Sequence, residues 1–168
     1  MGSEMCIRDS YEAVRSKRVE LMDNYVEKNG IEVKSGAKEL LSFLKENGYK
    51  VALATATPPQ RAERYLKAHD LYKYFDVTVS ASMVSVGKPA PDIYLKAAEM
   101  LGLSPQNCVA LEDSPNGIKS ASSAGCVTVM VPDLDKPSND IIPLLHGVAD
   151  GLSDVKRILR ELEDCNIQ

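Results

Sequence analysis

The chain has 168 residues, 44% of them hydrophobic and 26% charged, with a net charge of −4 and an isoelectric point near 5.3. That length suits one domain, and the balance suits a soluble globule with a real core. A nucleic-acid binder would need a clustered basic face, which the mild acidity argues against, and no apolar run reaches membrane-spanning length. A cytoplasmic protein that handles a small ligand fits best. The four cysteines, Cys6, Cys108, Cys126 and Cys165, show no CxxC spacing. Cys108 and Cys126 open apolar runs and read as buried, reduced thiols, with a reducing compartment as the default.

Residues 1–10, MGSEMCIRDS, lack the apolar stretch of a secretory signal. Met1-Gly2 opens like a myristoylation site, but Cys6 stands where Ser or Thr is needed. Met1-Gly2-Ser3 resembles an expression scar, so 1–10 reads as a non-native or artefactual start. Residues 11–29 predict a helix with Val14, Leu21, Met22, Tyr25 and Val26 on one stripe, stopped at Gly30. A second helix is predicted over 37–47, with Leu40, Leu41 and Leu44 inward and Gly48 just past its end.

The hydrophobic period then changes. Residues 50–55 read as a buried parallel strand. Pro58 and Pro59 open a helix that runs to about His69, and 76–80 is a second strand. Pro91 opens a helix through Tyr94, Ala97, Ala98 and Leu101 that Gly102 closes, and 108–112 is a third strand. Ser114-Pro115 starts a helix that stops at Gly125; 127–131 is a fourth strand, stopped by Pro132. Ser153 is expected to cap a final helix through Val155, Ile158, Leu159 and Leu162. Strands alternating with helices predict a Rossmann-like α/β core, a parallel sheet with helices on both faces. Ligands of such sheets sit beyond the carboxyl ends of the strands.

Three strand ends carry chemistry. Thr55-Ala56-Thr57 puts hydroxyls and free backbone amides ahead of a helix, which suits a phosphate cradle. A simple turn capped by the threonine hydroxyl is the competing reading. In the segment 87–92, GKPAPD, two prolines stiffen the loop and aim Lys88, whose ammonium could offset charge on a transferring phosphoryl group. Glu112-Asp113 end a hydrophobic strand, where burying two carboxylates demands a cation or donors. Mg²⁺ takes one or two carboxylates plus waters and phosphate oxygens. Adjacent strand residues face opposite ways, so both carboxylates reach one metal only if the strand breaks, and Ser114-Pro115 provides a break. The plainer alternative is that Asp113 caps the next helix.

Hydroxyl, lysine and acidic pair occur in that chain order, which counts against a response-regulator receiver, where the acidic pair comes first. The order resembles the haloacid dehalogenase superfamily of phosphohydrolases. VALATAT (51–57), GKPAPDIYLKAAEMLG (87–102) and VALEDSPNGIKSASSAG (109–125) resemble its second, third and fourth motifs. GIEVKSGAKELLSFLKENGYK (30–50) resembles the return from a helical cap, and VTVMVPDL (127–134) the strand and turn after the fourth motif. The Glu-Asp pair is similar to the branch (subfamily IA) that holds β-phosphoglucomutase and small sugar-phosphate phosphatases.

The resemblance implies roles. Thr55, Ala56 and Thr57 would grip the phosphoryl oxygens and Lys88 would neutralise them, while Asp113 with Glu112 would hold Mg²⁺. Ser114 and Asn116 are lesser orienting candidates. It also implies a small phosphorylated metabolite as substrate, no nucleic-acid or membrane partner, and a monomeric intact enzyme. Residues 11–34 would be a remnant of the helical cap with its return linker, and 35–168 the core.

One departure stands out. The family's first motif, Asp-x-Asp-x-(Thr/Val) at the end of the first core strand, supplies the nucleophile and the general acid–base. Neither Asp9 nor Asp133-Leu134-Asp135 fits it; the latter reads as the turn after the last major strand. In the family that strand lies between the strands read here as VALAT and VALED. The chain is therefore expected to be an N-terminally truncated enzyme, inactive alone and poorly stable, with unpaired backbone at the break. A β-phosphoglucomutase-like mutase and a non-catalytic phosphate-binding protein are the competing functions.

Overall fold

The computed structural model describes residues 3–133 and 136–166. Met1, Gly2 and two members of the Asp133-Leu134-Asp135 turn, Leu134 and Asp135, lie outside the described residues. The chain forms two compact units, Met1–Val33 and Lys34–Gln168. Among the described residues no helix is long and apolar enough to cross a membrane.

The first unit is one helix, α1 (Ser3–Asn29). It starts before the expected residue 11 because no Gly or Pro interrupts the chain from Ser3 to Asn29. Gly30, at φ 76°, ends it. Tyr11, Val14, Leu21, Met22 and Tyr25 are exposed on it.

The second unit follows the predicted alternation: α2 (Ala37–Glu46), β1 (Ala52–Thr55), α3 (Pro59–Ala68), β2 (Val77–Ser80), α4 (Asp92–Leu101), β3 (Val109–Glu112), α5 (Pro115–Ala124), β4 (Val127–Met130), β5 (Gly147–Val148) and α6 (Val155–Asn166). Gly48 takes φ 78° after α2, and the Tyr49 amide donates back to the Leu44 carbonyl at 2.9 Å, so the helix closes as its glycine predicts. The strand β5 was not foreseen; two residues carry no period. Ser153 does not cap α6. The Asp154 amide donates to the Gly151 carbonyl at 3.1 Å, which keeps 151–154 in a turn. In the first turn of α6 the Arg157 amide donates to the Asp154 carbonyl at 3.0 Å.

All strand pairs are parallel, and the sheet is divided between β1 and β3, where unpaired backbone was expected. β1 pairs with β2, and β3–β4–β5 form a separate three-stranded sheet. Among the described residues β1 and β3 are each paired on one side only. Helices cover both faces. Ala110 of β3 packs with Ile93, Tyr94 and Ala97 of α4 and Ala121 of α5. Its neighbour Leu111 faces the other way, into Leu40 of α2 and Val155, Ile158 and Leu159 of α6.

Between β1 and β3 lies a cavity of about 660 Å³. Its walls are Ala52–Thr55 and Val109–Glu112 of the two strands, with Leu40 and Leu44 from α2 and Ala97 and Leu101 from α4. The slot is mostly apolar between the two strands, with Lys50 and Asn107 at their amino ends and Thr55, Ala56, Lys88, Glu112 and Asp113 at their carboxyl ends.

Candidate active site

The hydroxyl of Thr55 sits at the end of β1 and accepts from the Thr57 amide at 3.0 Å. This is the turn anticipated as the simpler reading, yet the hydroxyl keeps its own proton to donate. Ala56 is exposed and Thr57 half-buried ahead of α3. Thr55 and Ala56 line the slot; Thr57 does not.

Lys88 is positioned by its loop. Asp92 accepts from the Val86 amide at 3.3 Å, and the Ala90 amide donates to the Gly87 carbonyl at 3.1 Å. From α5, the Ser120 hydroxyl donates to the Ala90 carbonyl at 2.6 Å. The loop is thus tied to two helices, and the Lys88 ammonium reaches across the slot. It lies 3.5 Å from the Ala54 carbonyl of β1 and forms an ion pair with Glu112 of β3.

Glu112 and Asp113 part as their strand dictates. Glu112 is buried, 8% exposed. Its Oε1 accepts from both Lys88 Nζ and the Tyr94 hydroxyl, while the Ser114 hydroxyl approaches Oε2 at 3.4 Å. Asp113 is exposed at the slot's mouth. It does not cap α5; Ser114 does, accepting from the Gly117 amide at 3.2 Å. Ser114 therefore serves the helix, and Asn116 is exposed on its first turn without lining the slot.

Tyr94 was read from the sequence only as part of a helical apolar stripe. It is 9% exposed, and its hydroxyl meets the Glu112 carboxylate. Burial first, then the adjacent Glu112 charge, pushes its phenol well above the usual range. The available signal was chemical: a buried phenol needs a hydrogen-bond partner. Its ring carries the Lys88 ammonium 5.1 Å from the centroid.

Among the described residues no group of three His, Cys, Asp or Glu side chains converges as a metal site. Two adjacent carboxylates, one exposed and one with an oxygen only loosely engaged, still fit a hard cation that keeps most of its waters. A protein-only cage for a softer metal does not fit this donor set.

A split parallel sheet with lysine, threonine and paired carboxylates at its carboxyl ends defines an α/β fold whose candidate site lies beyond the strand ends. The family pattern of haloacid dehalogenase-like hydrolases matches residues 6–125. The chain belongs to the haloacid dehalogenase-like hydrolases. It is 37% identical over 153 residues to the phosphorylated carbohydrates phosphatase of Thermotoga maritima, covering 91% of this chain and 63% of that protein. It is 40% identical over 97 residues to hexitol phosphatase B of Escherichia coli K12, covering 58% of this chain and 44% of that one. The crystal structure of a putative β-phosphoglucomutase from Thermotoga maritima superposes with a TM-score of 0.69 at 35% identity, over 76% of this chain and 59% of the other. The chain thus spans less than two thirds of the length of each of these relatives.

Proposed function

We propose that this chain carries most of the active site of a Mg²⁺-dependent phosphohydrolase for small phosphomonoesters, sugar phosphates foremost. The observation that carries the reading is the shared mouth of the slot, which Thr55, Lys88, Glu112 and Asp113 line at the ends of two parallel strands. The sugar-phosphate class is supported by the Thermotoga and Escherichia relatives, whose names specify phosphorylated carbohydrates and hexitols.

In this reading Thr55 donates its hydroxyl proton to a phosphoryl oxygen, with nearby backbone amides beside it. Lys88 neutralises charge on the phosphoryl group. Asp113 and Glu112 would hold Mg²⁺, which when bound supplies further positive charge at the phosphoryl oxygens. The remaining component is a carboxylate nucleophile. We assign it to a strand seated between β1 and β3, supplied from outside the 168 residues, and expect the chain alone to be inactive. Among the described residues both strands flanking the slot are paired on the other side only, and Lys88 stands at the slot's mouth. Phosphoryl transfer would break the substrate's P–O bond to its leaving alcohol and form an aspartyl phosphate. Water would then release inorganic phosphate and restore the carboxylate.

The test is expression with the in-frame codons that precede residue 1. The expected result is a hydrophobic strand ending in Asp-x-Asp-x-(Thr/Val) and Mg²⁺-dependent hydrolysis of p-nitrophenyl phosphate, abolished by Lys88→Ala and by Asp113→Asn. A frame without such a strand would overturn the nucleophile assignment. Unchanged turnover in either variant would overturn the roles given to Lys88 and Asp113.

A further inference from the structure

The ion pair between Lys88 and Glu112 raises a difficulty for any role of Lys88 toward an anion. A lysine whose charge is cancelled by a buried carboxylate has little left to offer a phosphate. Lys88 side-chain exposure is 22% and that of Glu112 is 7%, so water screens the pair only in part. Something must draw on the Glu112 charge from another direction.

The structure provides it in Tyr94. Its buried hydroxyl donates to Oε1, the same oxygen that takes Lys88. The Glu112 carboxylate also lies against the first turn of α5, in space left free because residue 117 is glycine; a Cβ there would fall 1.8 Å from Oε2. Ser114 adds a longer contact to Oε2 at 3.4 Å. The ring of Tyr94 meanwhile holds the ammonium from one side, at 5.1 Å, and the Ala54 carbonyl from the other, at 3.5 Å. We propose that Tyr94 is a positioning residue that takes up part of the Glu112 charge through its hydroxyl and steadies Lys88 on its ring, leaving the ammonium available to an incoming anion. The proposal rests on the phosphate-binding reading of the slot mouth.

Two roles for Tyr94 make opposite predictions. If Tyr94 only fills the core between α4 and β3, removing its hydroxyl loosens the whole site, and phosphate and Mg²⁺ weaken together. If it offsets Glu112, removing the hydroxyl tightens the Lys88–Glu112 pair and weakens phosphate alone, while Glu112 becomes no poorer a partner for a cation.

The experiment is calorimetric titration of the 168-residue chain with inorganic phosphate alone and with Mg²⁺ alone, for wild type, Tyr94→Phe, Glu112→Gln and the double variant. Tyr94→Phe is expected to weaken phosphate about tenfold, the worth of one hydrogen bond to a charged group. Its Mg²⁺ affinity should stay within about twofold or tighten. Glu112→Gln should strengthen phosphate binding, since Lys88 is released, and in that background Tyr94→Phe should have no further effect. Equal phosphate affinity in wild type and Tyr94→Phe overturns the inference, as does parallel loss of phosphate and Mg²⁺. A Tyr94→Phe penalty that persists in the Glu112→Gln background also overturns it. Wild type that binds no phosphate overturns the site reading and the inference with it. Wild-type binding indifferent to Tyr94 overturns the inference alone.

Discussion

Replacing Gly117 with alanine puts the packing of Glu112 to a sharp test, because two physical arguments give it opposite signs. Gly117 lies inside α5 and is not among the glycines at positive φ, so alanine is conformationally allowed there. Helix propensity alone then predicts stabilisation of about 0.8–1 kcal/mol. The structure predicts the reverse. A Cβ at 117 would stand 1.8 Å from Glu112 Oε2, 2.1 Å from Cδ and 2.6 Å from Oε1. These atoms end a flexible side chain, so the carboxylate would swing away and the backbone would stay. The buried Tyr94 hydroxyl then loses its acceptor, at a cost of about 1–3 kcal/mol. The Lys88 pair is lost as well, and water reaches enough of that lysine to hold the loss to about 1 kcal/mol. After the propensity gain, the net effect is a destabilisation of about 1–3 kcal/mol. Equilibrium urea unfolding of wild type and Gly117→Ala measures it. A variant more stable than wild type would refute the placement of Glu112 against α5.

Asp76 accepts from Lys45 Nζ at 2.8 Å and from the Val51 amide at 2.7 Å, which fixes the entry to β1. The Lys45 hydrogen bond first, then the Val51 amide, holds its carboxyl below the ordinary 3.8. A lowered carboxyl stabilises the fold above its unfolded value and loses that contribution as pH falls through the folded one. Asp76→Asn should therefore cost at most about 1 kcal/mol at neutral pH, given the pair's exposure, and a shrinking amount below about pH 4; a difference constant across acid titration would count against this. Burial pushes the Cys126 thiol up to about 11 and raises Cys108 less far. Peptide mapping after brief alkylation of the folded chain should find Cys108 labelled before Cys126, and the reverse order would contradict the packing around β4.

The alternation of helices and strands was legible because burial imposes it: period changes at residue 50 and again after each glycine or proline stop. Thr55, Lys88, Glu112 and Asp113 were legible because hydroxyl, ammonium and carboxylate residues are out of place at the ends of apolar strands. Tyr94 was not, since a tyrosine on a helical stripe looks like core until its hydroxyl is seen to face Glu112. The capping of α5 by Ser114 and the turn that displaces Ser153 from α6 depend on local backbone geometry, which residue type alone leaves open. The division of the sheet could not be read from residues 50–55 and 108–112 themselves. Each is a good buried strand; the gap was expected from the missing first motif, and the pairing places it at one edge of each strand among the described residues.

Amide-resolved NMR on the 168-residue chain decides whether the mouth of the slot binds phosphate. Titration with inorganic phosphate in the presence of Mg²⁺ should shift the amides of Thr55, Ala56, Thr57, Lys88 and Asp113, on three separate loops, with one common binding constant. Shifts confined to other surfaces, or none at those strand ends, would contradict phosphate binding there.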